Sequence, residues 1–132
     1  MHDQNDPLAK LFDITPLENQ RELLANTIFP FARIDGETLE VRFTEEGEQL
    51  TVREKLLLFL LTRKVLVIGN KITQEEVSPS DIEKSTGIPG GTIRPVLRKL
   101  LDERLVRDEN GYIVPNTRIK DINKILAKKG AK

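Results

Sequence analysis

The chain has 132 residues, with 21 Lys/Arg against 21 Asp/Glu, so its formal net charge is zero, and only 5% of it is aromatic. That length suits one domain, or one domain with an extension, and the core must be built mostly from Leu, Ile and Val. The lack of cysteine excludes disulfides and thiolate metal sites, and the longest apolar run, residues 56–61, is six residues where a membrane-spanning helix needs about 20.

The neutral total hides a division. Residues 1–50 hold 4 Lys/Arg against 11 Asp/Glu, a net −7, while residues 51–132 hold 17 against 10, a net +7. Halves of opposite sign point to different partners, with a protein partner open for the acidic half. The polar start MHDQNDP is unlike a secretion signal, so a cytoplasmic location with no membrane partner is expected.

Asp6-Pro7 predicts a short helical turn, Asp at the cap and Pro at the first position, with Leu8, Leu11 and Phe12 sharing a face. Thr15-Pro16-Leu17-Glu18 is a capping box, and Leu17, Leu24 and Ile28, with Leu23 beside them, follow at helical spacing. This predicts a helix over 16–27, ended by Phe29-Pro30, because the residue before a proline is pushed out of helical geometry. The period then drops to two. Leu39, Val41 and Phe43 alternate with Thr38, Glu40 and Arg42, a strand that Asp35-Gly36 would turn against 31–34. Glu45-Glu46-Gly47-Glu48 reads as a loop.

Thr51-Val52-Arg53-Glu54 is a second capping box. The apolar run behind it predicts a helix to about Lys64 or Leu66, buried on most faces. Gly69-Asn70 ends it, and 71–77 reads as a polar connector with a short strand near Val77. Ser78-Pro79-Ser80-Asp81 starts a short helix that stops at Gly87. The next helix runs to about Glu103 or Arg104, with Ile93, Val96, Leu97, Leu100 and Leu101 as its buried stripe. Pro95 lies inside it. Proline costs roughly 3 kcal/mol in a helix interior but little in the first turn. The helix is therefore expected to begin near Gly91 or Thr92, leaving the amides of Gly90, Gly91 and Thr92 free. Residues 105–107 and 112–114 read as strands joined by Asn110-Gly111. Residues 116–129 read as an amphipathic helix, with Ile119, Ile122, Ile125 and Leu126 on one face and Lys120, Lys124 and Lys128 on another. Its apolar stripe would pack on its own domain or on a second copy. The expected class is mainly α with small β hairpins (α+β).

Residues 51–114 resemble the winged helix-turn-helix superfamily. Gly87 stands where that fold has its tight turn, and Ile82, Ile88, Ile93 and Val96 are placed to hold the two helices together. The run GTIRPVLRKLLDERLV is similar to the recognition helix of small prokaryotic regulators, and LVRDENGYIV to the strand-turn-strand wing. Glu83, near the turn where a small residue is common, and Pro95, within the recognition helix, depart from the pattern. The resemblance divides the chain into an acidic extension (1–50), a winged domain (51–115) and a basic C-terminal helix (116–132).

What the resemblance implies is a DNA-binding protein: a prokaryotic transcriptional regulator, acting as a homodimer, that inserts helix 91–104 into the major groove of double-stranded DNA. Arg94 would be the best base reader, because a guanidinium bonds guanine in two places, with Thr92 beside it. Arg98, Lys99, Ser80 and the amide of Gly91 would suit phosphate oxygens. The wing, with Asp108 and Glu109, would offer only Arg107. The main alternative is a winged helix used for protein contact in a larger complex. No enzymatic activity, metal or cofactor is expected. The only histidine is His2, no metal-ligand spacing or acid–base pair stands out, and GIPGGT at 87–92 lacks the Lys-Ser/Thr ending of a phosphate-binding loop.

Overall fold

In the computed structural model of the chain, residues 7–11 and 20–130 are described. They are mainly helical, with two small antiparallel strand pairs, an α+β arrangement. A 3-10 turn at Pro7–Leu11 is followed by α1 (Arg21–Ile28), β1 (Ala32–Ile34), β2 (Val41–Phe43) and α2 (Glu45–Glu48). Then come α3 (Val52–Ile68), α4 (Pro79–Thr86), α5 (Gly90–Asp102), β3 (Arg107–Asp108), β4 (Tyr112–Ile113) and α6 (Ile119–Gly130). No described helix is long and apolar enough to cross a membrane.

The centre is α3. Its capping box is in place: Thr51 accepts from the Glu54 amide, and the Glu54 side chain accepts from the Thr51 amide. Residues 56–61 are all buried, Leu56, Leu57, Leu58 and Leu61 with no exposed surface at all. Burying each such side chain contributes about 1.5–3 kcal/mol, so this helix holds its neighbours on every side. It runs to Ile68, further than the pattern predicted, and Gly69 closes it.

One hydrophobic core joins α3 to α1, α4, α5 and α6. Ile119, Ile122 and Leu126 of α6 are buried within the chain itself, against α1 and α3. Asn123 Nδ2 donates to Thr27 Oγ1 at 2.6 Å, and Thr27 Oγ1 donates to the Leu23 carbonyl, tying α6 to α1. The strongest part of the α6 stripe is therefore covered without a second copy. A 3-10 turn at Asn116–Arg118 precedes α6, where the sequence predicted one unbroken helix.

Several expectations in the acidic half need correction. The capping box at 15–18, Leu17 and Phe12 lie outside the described residues; α1 itself is Arg21–Ile28. Leu8 and Leu11 are exposed, 60% and 72%, and do not serve as a buried face. The hairpin is not a two-residue turn at Asp35-Gly36. Ala32 pairs with Phe43 and Ile34 with Val41, leaving a longer connection between. There the Asp35 Oδ1 accepts from the amides of Glu37 and Thr38, and the Glu40 carbonyl accepts from the Asp35 amide. Backbone donation from Thr38 and then Glu37 holds the Asp35 carboxyl below the ordinary aspartate pKa. Asx bonding of this kind replaces a glycine-dependent tight turn.

The predicted loop at 45–48 is a short helix. Thr44 caps it, its hydroxyl accepting from the Gly47 amide at 3.1 Å and donating to the Pro30 carbonyl. Gly47 is buried against β1: a Cβ there would run into the Phe31 carbonyl oxygen, with the carbonyl carbon 3.0 Å away. Backbone cannot swing aside as a side chain can, so Gly47→Ala is expected to cost about 1–3 kcal/mol through overpacking. Urea unfolding measures this; an unchanged midpoint would mean that the α2–β1 approach is looser than described.

Residues 71–77 are tied down from α3. Arg63 donates through Nε to the Glu75 carbonyl (3.1 Å) and through Nη2 to the Gln74 carbonyl (2.6 Å). Lys64, 1% exposed, donates through Nζ to Glu75 Oε2 and to Asn116 Oδ1, each at 2.7 Å. Val77 then bridges to Tyr112, so the short strand expected near Val77 is a single antiparallel bridge to β4.

Candidate nucleic-acid interface

α4 begins with a capping box in which Ser78 accepts from the Asp81 amide and the Asp81 carboxylate accepts from the Ser78 amide, and Pro79 opens the helix. Gly87 ends it with φ 78, the left-handed geometry that only glycine adopts without strain, and its amide donates to the Glu83 carbonyl. α5 starts two residues later. Ile82 from α4 and Ile93, Leu97 and Leu100 from α5 are fully buried against α3, so the two helices share one core face. Helical spacing predicted Ile93, Leu97 and Leu100, and the resemblance Ile82; Val96 and Leu101, in the same predicted stripe, are only half-buried.

The N-terminus of α5 differs from expectation. The helix opens at Gly90, which puts Pro95 at its sixth position rather than in the first turn. Pro95 gives no amide to the Gly91 carbonyl, and its ring presses toward that carbonyl. The expected free amides are also partly used. Thr92 donates to the Pro89 carbonyl at 2.9 Å, and Gly90 donates to Glu83 Oε1 at 3.1 Å.

Glu83 therefore acts as a remote cap. Pro89 occupies the cap position and has no side-chain oxygen to offer. The carboxylate of Glu83 supplies it instead, with the sign that the positive end of a helix favours. Two charged side chains cross Gly90: a Cβ there would meet Arg94 Nη1 at 2.5 Å and Glu83 Oε1 at 2.8 Å, and these side-chain tips would have to move aside. The sequence carried one signal for this, a Pro-Gly-Gly helix start with no Ser, Thr, Asp or Asn in the cap position. Glu83→Ala is expected to lose about 0.5–2 kcal/mol of stability, as cap removals do. If chemical denaturation finds no loss for Glu83→Ala, the cap does not hold α5.

The proposed contact residues Ser80, Gly91, Thr92, Arg94, Arg98, Lys99 and Arg107 are all exposed. At about 100° per residue, Arg94 and Arg98 stand only about 40° apart, but Lys99 lies about 100° from Arg98 on the side away from Arg94, with Thr92 on that same flank. The outermost line of α5 is Gly91, Pro95, Arg98 and Asp102. Gly91 has open space in front of its Cα. Arg98 is thus the most outward cation, Arg94 leans back over Gly90, and Asp102 puts a negative charge on the same line. Ser80 sits in the first turn of α4.

Between β3 and β4, Asn110 (φ 59) and Gly111 (φ 138) both take positive φ, as the turn pair predicted. The strands are shorter than expected, because Leu105 and Val106 turn inward and are buried. Arg107 pairs with Glu109 at 3.3 Å, so it reaches a phosphate only by giving up that partner.

The hairpin's Asp35 and Glu40, with Arg33, Arg42 and the Glu48 of α2, line a cleft of about 510 Å³ whose other wall is Ser85 and Thr86, at the end of α4. Among the described residues no group of three or more His, Asp or Glu is placed to hold a metal. Comparison of the chain with protein-family models, with curated proteins and with solved structures finds no match.

Proposed function

We propose that residues 51–115 are a winged helix-turn-helix and that the protein binds double-stranded DNA as a transcriptional regulator of the prokaryotic type. In this reading α3 is the supporting helix, α4 and α5 are the helix-turn-helix, β3 and β4 are the wing, and α5 enters the major groove. The observation that carries it is the outer face of α5: Arg94, Arg98 and Lys99 are exposed on a helix whose opposite stripe is fully buried. A helix held firmly along one side, with cations on the other, suits a groove lined by phosphates and base edges. Arg98 and Lys99 suit the backbone, Arg94 a guanine edge, and Ser80 with Gly91 the flanking phosphates. A homodimer on two-fold related half-sites belongs to the same reading, through a surface other than the buried stripe of α6.

A second reading, a winged helix that contacts protein, draws on Glu83. Its carboxylate already occupies the amide at the start of α5, where a phosphate would otherwise bind. Asp102 at the far end of α5, and Asp108 and Glu109 in the hairpin that follows, add further negative charges. Salt separates the two readings. A DNA binder releases counterions, so log affinity for duplex DNA should fall steeply and linearly with log salt. Absence of duplex binding at low salt would leave the protein-contact reading in possession. Under the DNA reading Glu83→Ala also gains duplex affinity while it loses stability, because it removes a negative charge from the groove side.

A further inference from the structure

We propose that the cleft at the C-terminal end of α5 is an anion site that takes a phosphoryl group. Three arginines from three elements line one cleft of about 520 Å³: Arg104 just past α5, Arg107 at the start of β3, and Arg118 at the end of the 3-10 turn before α6. Its floor is apolar, made by Leu101, Val106 and Pro115, and Thr117 adds a hydroxyl. Val106 is 2% exposed and belongs to the packed core, and Leu101 is half-buried against that core.

The negative groups at the cleft are already engaged. Asp108 Oδ1 accepts from the Gly111 amide at 3.2 Å within the turn. Glu109 pairs with Arg107 at 3.3 Å, and Asp121, beside the cleft, pairs with Arg118 at 3.1 Å. The side chains of both pairs are 41–63% exposed, and ion pairs this wet contribute only about 0–1 kcal/mol. A phosphoryl group carries more charge and offers oxygens that match guanidinium forks two at a time, so it outcompetes them. Arg104 forms no ion pair among the described residues. It sits at φ 61, a backbone geometry that arginine rarely adopts. The carbonyls that end α5 do not oppose an anion strongly. Those of Lys99, Leu101 and Leu100 accept from the amides of Glu103, Arg104 and Leu105.

The phosphoryl group can belong to a small molecule or to a nucleic-acid backbone. The site itself does not depend on the DNA reading. The test uses pyrophosphate as probe with the full chain, followed by amide chemical shifts and by calorimetry at low salt. Shifts are expected at Val106, Thr117 and Arg118. Arg104→Gln and Arg118→Gln should each weaken pyrophosphate about tenfold or more, since hydrogen bonds to charged groups are the strong ones. Lys124→Gln, on the exposed face of α6, should leave it unchanged. Thermal unfolding of each variant checks that the fold is intact. Competition by a short random-sequence duplex assigns the site to DNA backbone. Pyrophosphate binding that the duplex leaves untouched assigns it to a small phosphorylated ligand. No shifts at millimolar pyrophosphate, or wild-type affinity in both arginine variants, overturns the site. Pyrophosphate binding with no duplex binding keeps the site and removes the DNA reading; duplex binding with no pyrophosphate binding does the reverse.

Discussion

Replacing Lys64 with Met is expected to cost about 3–5 kcal/mol of folding stability, the loss typical of breaking a buried ion pair from one side. Lys64 is 1% exposed, and its ammonium serves both Glu75 and Asn116 at 2.7 Å. Methionine fills the same stem but leaves the Glu75 carboxylate, 12% exposed, without its cation. That carboxylate also anchors residues 71–77, through which Val77 reaches β4. The Lys64→Met, Glu75→Leu double variant should recover much of the loss, because an apolar pair of similar volume carries no unpaired charge.

The deficit should also depend on pH. Burial pushes the Glu75 carboxyl above its ordinary pKa and the Lys64 ammonium below its own, while their mutual hydrogen bond opposes both shifts. A carboxyl whose folded pKa is raised contributes stability that is full below its unfolded value and lost as pH rises through the folded value. Without Lys64 the opposing bond is gone and the carboxyl rises further. The variant's deficit relative to wild type is therefore largest near neutrality and shrinks as acid protonates Glu75. Urea unfolding near neutrality and again in mild acid, where the raised carboxyl takes up its proton, reads this. An equal deficit at both would mean that Glu75 is not the group left stranded.

Removing both Arg94 and Arg98 should weaken duplex DNA binding by about 100-fold or more. Each arginine at a base edge or phosphate is worth about 1–3 kcal/mol, and one factor of ten corresponds to about 1.4 kcal/mol. The two stand one helical turn apart on the same side of α5, so their effects need not add. Arg94→Ala alone should relax base preference. Arg98→Ala and Lys99→Ala should weaken all sequences alike and lower the salt slope by about one each. Both arginines are exposed, so thermal unfolding should barely move. Fluorescence anisotropy with the double variant decides the matter: unaltered duplex affinity removes α5 from the interface.

The placement of Arg94, Arg98 and Lys99 outside the buried stripe of α5 was legible in the sequence, because Ile93, Leu97 and Leu100 recur at helical spacing. So were Gly87 as the stop of α4, the capping box at Thr51, Ser78 as a helix cap, and the Asn110-Gly111 turn. The start of α5 was misread because Pro95 was taken to belong to a first turn. The helix instead begins at Gly90 and carries the proline at its sixth position.

What the sequence determined by itself is local: helix starts and stops, the buried stripes, and the low-aromatic, Leu-rich core. These signals act between residues a few positions apart, and their partners are visible in the string. Only the tertiary structure decided that Lys64 is buried between Glu75 and Asn116, the latter 52 positions away. It alone placed Gly47 against Phe31, made Glu83 the cap of α5, and gathered Arg104, Arg107 and Arg118 at one cleft. Burial and charge pairing depend on which surfaces the helices turn toward each other. A charged residue in a periodic pattern looks the same whether it faces water or a partner from another element.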